Sequence, residues 1–354
     1  MTKVFVTESE NFSINFACNF FRGTVKINKT LAVNSAGVFY IYASSTIIMN
    51  ILEIENVSKN YAAHRALDGV TLHIPAQCVF GLLGPNGAGK TSLIRIITQI
   101  TAPDSGRILF KGQPLSNEHV LKMGYLPEER GLYKKMEVGE QALYLARLKG
   151  MSRVDAMKKL KFWFEKFEIQ EWWKKKVEEL SKGMAQKVQF ITTVLHEPEF
   201  LILDEPFTGF DPINAELVKN ELLELRSKGT TIVLSTHRME SVEELCNNIA
   251  LIDNAHVILN GSVKDIRKQF RSHMFEINYV GNRIGFTNAL WTGFELIDLK
   301  EEEEHSTAKV KMVGNLTVND MLSLLMPHVQ ILGLQEIVPS MNDIFIKQVN
   351  ENRN

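Results

Sequence analysis

The chain holds 354 residues, 45% hydrophobic and 23% charged, with a formal net charge of −1. It is long enough for two domains and apolar enough for ordinary cores, and the balanced charge excludes a protein working by long-range attraction to nucleic acid or anionic lipid. Three cysteines, Cys18, Cys78 and Cys246, lie far apart in no metal-ligand spacing, which excludes a disulfide framework and fits a reducing compartment.

Residues 1–48 read as an extension ahead of the first domain. From Leu31 to Leu52 there is no charge, and Lys26 and Lys29 lie just upstream, a superficial likeness to a signal segment or membrane span. Asn34, Ser35, Ser44, Ser45, Thr46 and Asn50 interrupt the stretch, and it runs into the first strand of the next domain, so a span is the weaker reading. Met49 looks like a natural start. The extension is expected to be disordered or to come from a misassigned start codon.

Ile51–Asn56 alternates apolar and polar residues as a half-buried strand does. Ala66–Ile74 is a second strand, and Cys78–Leu83 a third, continuous and apolar. A Gly-rich turn leads into a helix from near Lys90, and Phe110 and Tyr125 mark further short strands. Val138 to about Trp173 is charge-rich and helical in pattern. A helix from Ser181, a buried strand at Phe200–Leu203, a helix from Pro212 and a strand at Thr231–Ser235 follow. Such alternation predicts a mostly parallel sheet covered by helices. Composition shifts near Phe270. Beyond it, strands at Met274–Val280, Phe294–Leu299, Thr307–Val313 and Val329–Ile337 alternate with helices at Val318–Met326 and Met341–Val349, a small α+β pattern. Glu301–Glu304 reads as a solvated turn.

Gly84-Pro85-Asn86-Gly87-Ala88-Gly89-Lys90-Thr91, with Ser92 next, fits G-x-x-x-x-G-K-[ST]. Glycines let backbone N–H groups turn inward around phosphate oxygens, and the following helix points its positive end at them. In such a loop the lysine reaches the β- and γ-phosphates and the Thr91 hydroxyl sits on Mg²⁺. Phe200-Leu201-Ile202-Leu203-Asp204-Glu205 is an apolar run ending in two acids, as a strand buried on both faces reads. Ligands bind beyond the carboxyl ends of such strands, so Asp204 is placed to hold the metal and Glu205 to polarise a water. A chance Gly-rich turn and a surface acidic pair are the plainer readings of each motif alone. Together they predict a P-loop nucleotide hydrolase.

Three further stretches resemble the ABC ATPase family. Leu180-Ser181-Lys182-Gly183-Met184-Ala185-Gln186 resembles its signature sequence, Thr208-Gly209-Phe210-Asp211-Pro212 its D-loop, and His237 after Ile232-Val233-Leu234-Ser235-Thr236 its switch histidine. Each has an ordinary alternative: Ser181 and Asp211 are good helix caps. The resemblance covers about residues 51–267. It implies a mixed, mostly parallel sheet with a helical subdomain at about 130–185, all within an ATPase domain of 49–271, followed by a small α+β domain at 272–354. It implies ATP and Mg²⁺, Tyr61 stacking on adenine, Thr91, Glu128 and Asp204 around the metal, and Glu205 and His237 at the γ-phosphate. Glu128 stands where the family's Q-loop usually has glutamine, which adds a negative charge beside the metal. The run Leu126-Pro127-Glu128-Glu129-Arg130-Gly131-Leu132-Tyr133 and the tail Pro339-Ser340-Met341-Asn342-Asp343-Ile344-Phe345-Ile346 resemble a bacterial subgroup of sodium-extrusion and drug-export subunits.

One phosphate loop and one signature per chain imply a two-fold dimer, homo- or heteromeric, in which Ser181, Gly183 and Gln186 of one subunit cover ATP held by the other. The pore is expected on separate chains, an integral membrane permease, with this subunit on the cytoplasmic face of the membrane. The other class considered is a soluble ABC ATPase acting on nucleic acid or ribosomes. A single cassette, the lack of a zinc module or coiled-coil insert, and the absence of a basic bias speak against it, and no nucleic acid partner is expected.

Overall fold

The computed structural model describes residues 17–20, 23–33 and 39–353, apart from 63, 130, 291, 292 and 315. The remaining parts of the N-terminal extension, and Arg130, therefore lie outside the described residues. Within the extension, β1 (Ala17–Phe20), β2 (Gly23–Val33) and β3 (Phe39–Ile48) form an antiparallel three-stranded sheet paired with no other described strand. Among the described residues no helix is long and apolar enough to cross a membrane.

The next sheet begins with β4 (Asn50–Tyr61) and β5 (His64–Pro75), both longer than the alternating runs that marked them. Then follow β6 (Val79–Leu83), α1 (Lys90–Ile97), β7 (Ser105–Phe110) and β8 (Gln113–Pro114). Strands β5-β4-β7-β8 pair antiparallel. The short helix α2 (Asn117–Leu121) precedes β9 (Met123–Leu126).

The charge-rich stretch expected to be helical forms two helices, α3 (Val138–Leu148) and α4 (Arg153–Lys166). Gly150 separates them at φ 84, a left-handed conformation that glycine adopts without penalty. Ser152 then restarts the helix, its side chain accepting from Asp155 N. After α5 (Lys182–Val194) come β10 (Phe200–Asp204), α6 (Pro212–Ser227), β11 (Thr231–Ser235), α7 (Met239–Leu245), β12 (Asn248–Asp253), β13 (His256–Ser262) and α8 (Val263–Gln269).

The large sheet runs β13-β12-β6-β11-β10-β9. All pairs are parallel except the edge pair β12–β13. Strands β6, β10 and β11 are buried at every residue, which explains their unbroken apolar sequences. One face packs on α1 and the antiparallel sheet, and the other on the helices. All five parallel strands deliver their carboxyl ends to one edge, where the catalytic candidates lie.

The C-terminal strands β14 (Met274–Gly281), β15 (Phe294–Glu301), β16 (Ser306–Met312) and β17 (Val329–Ile337) form an antiparallel sheet in the order β15-β16-β14-β17. With them lie α9 (Arg283–Ala289), not anticipated from sequence, and α10 (Val318–Leu325). Their own core includes Ile277, Tyr279, Phe286, Val310, Met321 and Leu325; Tyr279 and Phe286 stack at 4.1 Å. The last helix, α11 (Met341–Arg353), leaves this core. It buries Met341, Ile344 and Val349 in the cluster that holds Val242, Leu245 and Ile249 of the larger unit.

Candidate functional site

The turn from β6 into α1 carries the phosphate loop, which is held against two carbonyls. A Cβ on Gly84 would stand 2.2 Å from Ile252 O, and one on Gly89 would stand 2.3 Å from Ala66 O, with φ at +151 and +115. Only glycine fits either position. Ala88 N donates to Pro85 O at 3.2 Å, and Leu93 N to Gly89 O at 3.0 Å, so the loop closes directly into the helix. Lys90 Nζ folds back onto the Gly84 and Pro85 carbonyls at 2.7 and 3.0 Å. Burial lowers the Lys90 pKa, while Asp204, Glu205 and Glu128 pull it back up.

Gly89 and Lys90 line a cleft of about 410 Å³, together with Tyr61, His64, Ala66, Asn86, Gly87, Thr91, Ser92, Glu128, Asp204, Glu205 and His237. Glu128 arrives from the end of β9, Asp204 and Glu205 from β10, and His237 from β11. Asp204 is 5% exposed. Burial raises its pKa first, and the charges of Glu128 and Glu205 add to this, while the Ser235 hydroxyl and Lys90 oppose it. The cleft therefore concentrates three carboxylates against one ammonium group, a donor set suited to a cation.

Glu205 leaves the strand in the left-handed region, φ 49, with its amide donating to Ser235 O at 2.8 Å. That turn aims its carboxylate at the β11 end. Oε1 meets His237 Nδ1 at 2.6 Å and accepts from His237 N at 2.9 Å. Oε2 accepts from Thr236 Oγ1 at 3.2 Å, and Thr236 Oγ1 itself accepts from Arg238 N at 3.1 Å. Thr236, with no exposed surface, is a residue the sequence reading missed. Its hydroxyl looks like ordinary strand-end polarity until the neighbouring strand is known. His64 and Ala66 were missed similarly: the start of β5 places them opposite the loop. Tyr61 stands at the cleft with 40% exposure, not as a core aromatic, with Lys59 Nζ 5.6 Å from its ring centroid.

Ser181, Gly183, Gln186 and Asp211 do not line this cleft. Ser181 caps α5 by accepting from Met184 N at 3.3 Å. The Gly183 Cβ position lies 3.2 Å from Gly209 O, and Gln186 Nε2 reaches Pro206 O at 3.4 Å. Asp211 caps α6 through Asn214 N at 2.9 Å. The signature-like and D-loop-like stretches thus meet each other outside the lining of the cleft.

The cleft fits a magnesium nucleotide. Thr91, Glu128 and Asp204 can supply a hydroxyl and two carboxylates, and Mg²⁺ ordinarily takes one or two carboxylates with the rest from water and phosphate. Among the described residues no group of three or more acid, His or Cys side chains could hold a metal ion.

Residues 67–208 match the family model of ABC transporters, and residues 261–349 match the C-terminal domain of DrrA1-3-like ATP-binding proteins. The chain is 42% identical over 299 residues to an uncharacterised ABC transporter ATP-binding protein, YhaQ, of Bacillus subtilis strain 168, covering 84% of this chain and 98% of that one. It is 28% identical over 310 residues to the linearmycin resistance ATP-binding protein LnrL of the same strain, covering 84% and 97%. It is 34% identical over 215 residues to the Nod factor export ATP-binding protein I of Paraburkholderia xenovorans, covering 60% and 70%. Among solved structures, an ATP-binding subunit of an ABC transporter superposes with a TM-score of 0.59 at 31% identity, covering 62% of this chain and 93% of that chain.

Proposed function

The chain belongs to the ABC transporter ATP-binding proteins, and from that premise we propose that it hydrolyses ATP as one half of a two-fold dimer. The dimer energises an integral membrane permease carried on separate chains, from the cytoplasmic face of the membrane and in the export direction. The observation that carries this reading is the division of the site. Lys90, Asp204, Glu205 and His237 share one cleft, while Ser181 and Gly183 lie outside it. A second subunit, identical or closely related, supplies the missing wall. Relatives named for Nod factor export and linearmycin resistance support the direction.

In the proposed reaction Tyr61 stacks on the base, and Lys90, Ser92 and the N–H groups of the loop 84–91 take the phosphates. Bound Mg²⁺, held by Thr91, Glu128 and Asp204, would neutralise phosphate charge. The Lys90 ammonium exchanges its two loop carbonyls for phosphate oxygens. Glu205 orients the attacking water and takes its proton, and His237 turns from Glu205 to the γ-phosphate. Thr236 keeps the second carboxylate oxygen in place when His237 leaves. Residues 49–271 form the ATPase domain and 272–354 an accessory domain, with 1–48 outside both.

Purifying the full chain from native membranes in mild detergent tests the assignment. We expect a multi-span permease to co-purify in stoichiometric amount, with ATPase activity. Recovery on ribosomes or nucleic acid, with no membrane protein, would overturn it.

A further inference from the structure

The accessory domain reaches the nucleotide site through its last helix. At the start of α11, Ser340 and Asp343 cap each other, Asp343 N donating to Ser340 Oγ at 3.2 Å and Ser340 N to Asp343 Oδ2 at 3.0 Å. Met341 N donates to Glu243 Oε1 on α7 at 2.5 Å, and Arg267 pairs with the same carboxylate at 3.5 Å. Negative charge at a helix N-terminus is favourable, and Met341 and Ile344 are 1% exposed. The helix is therefore fixed at its first turn against the element that follows His237.

Its far end meets the turn that follows β12. Asn352 Nδ2 donates to Asp253 Oδ2 at 3.0 Å. Asp253 ends β12, is 1% exposed, and opens a turn in which Asn254 and Ala255 are both left-handed, φ 46 and 68. Ala255 N donates to Ala88 O at 3.3 Å, and its carbonyl accepts from Asp68 N at 3.0 Å. Ile252, just before the turn, supplies the carbonyl against which Gly84 has no room. The turn is thus the backing of the phosphate loop.

We propose that Asn352 is a positioning residue for ATP binding: through Asp253 it holds the 252–255 turn, and the turn sets the phosphate loop. The helix anchored on α7 delivers the amide preorganised, so the accessory domain acts on nucleotide affinity from a residue that touches no nucleotide. Buried carboxylates are held by the donors around them, and a loop held in its binding conformation spares the ordering cost on binding. This inference rests on the reading of the cleft as an ATP site.

The test uses the full chain and measures Mg-ATP affinity and steady-state ATPase. Asn352 is exposed at the end of the chain, so its replacement leaves the cores intact. Asn352→Ala is expected to raise the Kd and KM for Mg-ATP at least about threefold, with kcat at saturating ATP changed far less, the pattern of lost binding rather than lost chemistry. The exchanged pair, Asp253→Asn with Asn352→Asp, keeps one amide and one carboxylate facing each other and is expected to restore the parent affinity. Unchanged affinity in Asn352→Ala, or no recovery in the exchanged pair, overturns the proposal. A parent chain that does not bind Mg-ATP overturns the reading of the cleft and this inference with it.

Discussion

Glu205 and His237, 32 positions apart in sequence, meet at 2.6 Å between Oε1 and Nδ1. With Thr236 on the other carboxylate oxygen, Glu205 is fixed at both oxygens before any water is positioned. Glu205→Gln preserves the shape and most of these contacts but removes the base. We expect Mg-ATP to bind with an affinity close to the parent's, and kcat to fall by about 100-fold or more, the usual worth of a general base. Equilibrium binding and single-turnover hydrolysis separate the two. Hydrolysis at the parent rate would remove Glu205 from the role proposed for it.

The fold was most legible where burial is two-sided. Strand β11, buried at every residue, spans the residues expected for it, and so does β17, although it buries only Val329. The break at Gly150 was not legible, since the charge pattern continues across it, and neither were β12 and β13. The cleft residues were legible as motifs, but the Glu205–His237–Thr236 contacts depend on which strands are neighbours, and β10 lying beside β11 is tertiary information. The last helix is a sharper case. Its sequence says that one face is apolar, not which core receives it, and the face joins the larger unit instead of the sheet that precedes it.

Acid sensitivity should trace in part to His196. Its Nε2 lies 3.1 Å from Met123 O, the carbonyl that also accepts from Lys149 Nζ at 2.8 Å. Burial, then the Lys149 charge, pushes the His196 pKa down from 6.5 to about 4. The folded state therefore binds fewer protons than the unfolded one between those values. The stabilisation is complete above pH 6.5 and is lost as pH falls toward about 4, a difference of up to about 3 kcal/mol. His196→Gln keeps a donor for Met123 O and cannot ionise. Its Tm should fall less between pH 7 and pH 4.5 than the parent's. Parallel Tm profiles for the two chains would show that His196 does not contribute.

Asp204 carries the opposite sign. Its pKa is raised by burial and by Glu128 and Glu205, so the folded state binds more protons than the unfolded one just above the ordinary carboxylate range. The associated stability is full below the ordinary value of 3.8 and is lost as pH rises through the raised one. At neutral pH the ionised carboxylate is a cost to the nucleotide-free protein. Asp204→Asn should therefore raise the Tm without nucleotide by about 2 °C or more, for a gain on the order of 1 kcal/mol. It should also abolish the further stabilisation by Mg-ATP and the ATPase activity. A lower Tm without nucleotide would show that Asp204 is better compensated than its surroundings indicate.

The division between the cleft and the signature cluster makes the sharpest demand. Lys90→Ala destroys a subunit's phosphate loop and leaves Ser181 and Gly183 to serve a partner. Ser181→Arg leaves the loop whole and brings a bulky cation to the wall offered to the partner's nucleotide. Either homodimer has two damaged sites and should be inactive. In a mixed dimer both defects fall on the same site, because the Lys90→Ala loop faces the Ser181→Arg signature. The other site pairs an intact loop with an intact signature. Tethered mixed dimers should regain ATPase activity, up to about half of the parent level if the sites turn over independently. If the whole site lay within one chain, each subunit would carry its own defect and mixing would restore nothing. A tethered dimer with both defects on one subunit and an intact partner distinguishes the remaining case. It has one damaged component in each site, so activity there together with none in the mixed dimer would rule out a site shared between subunits.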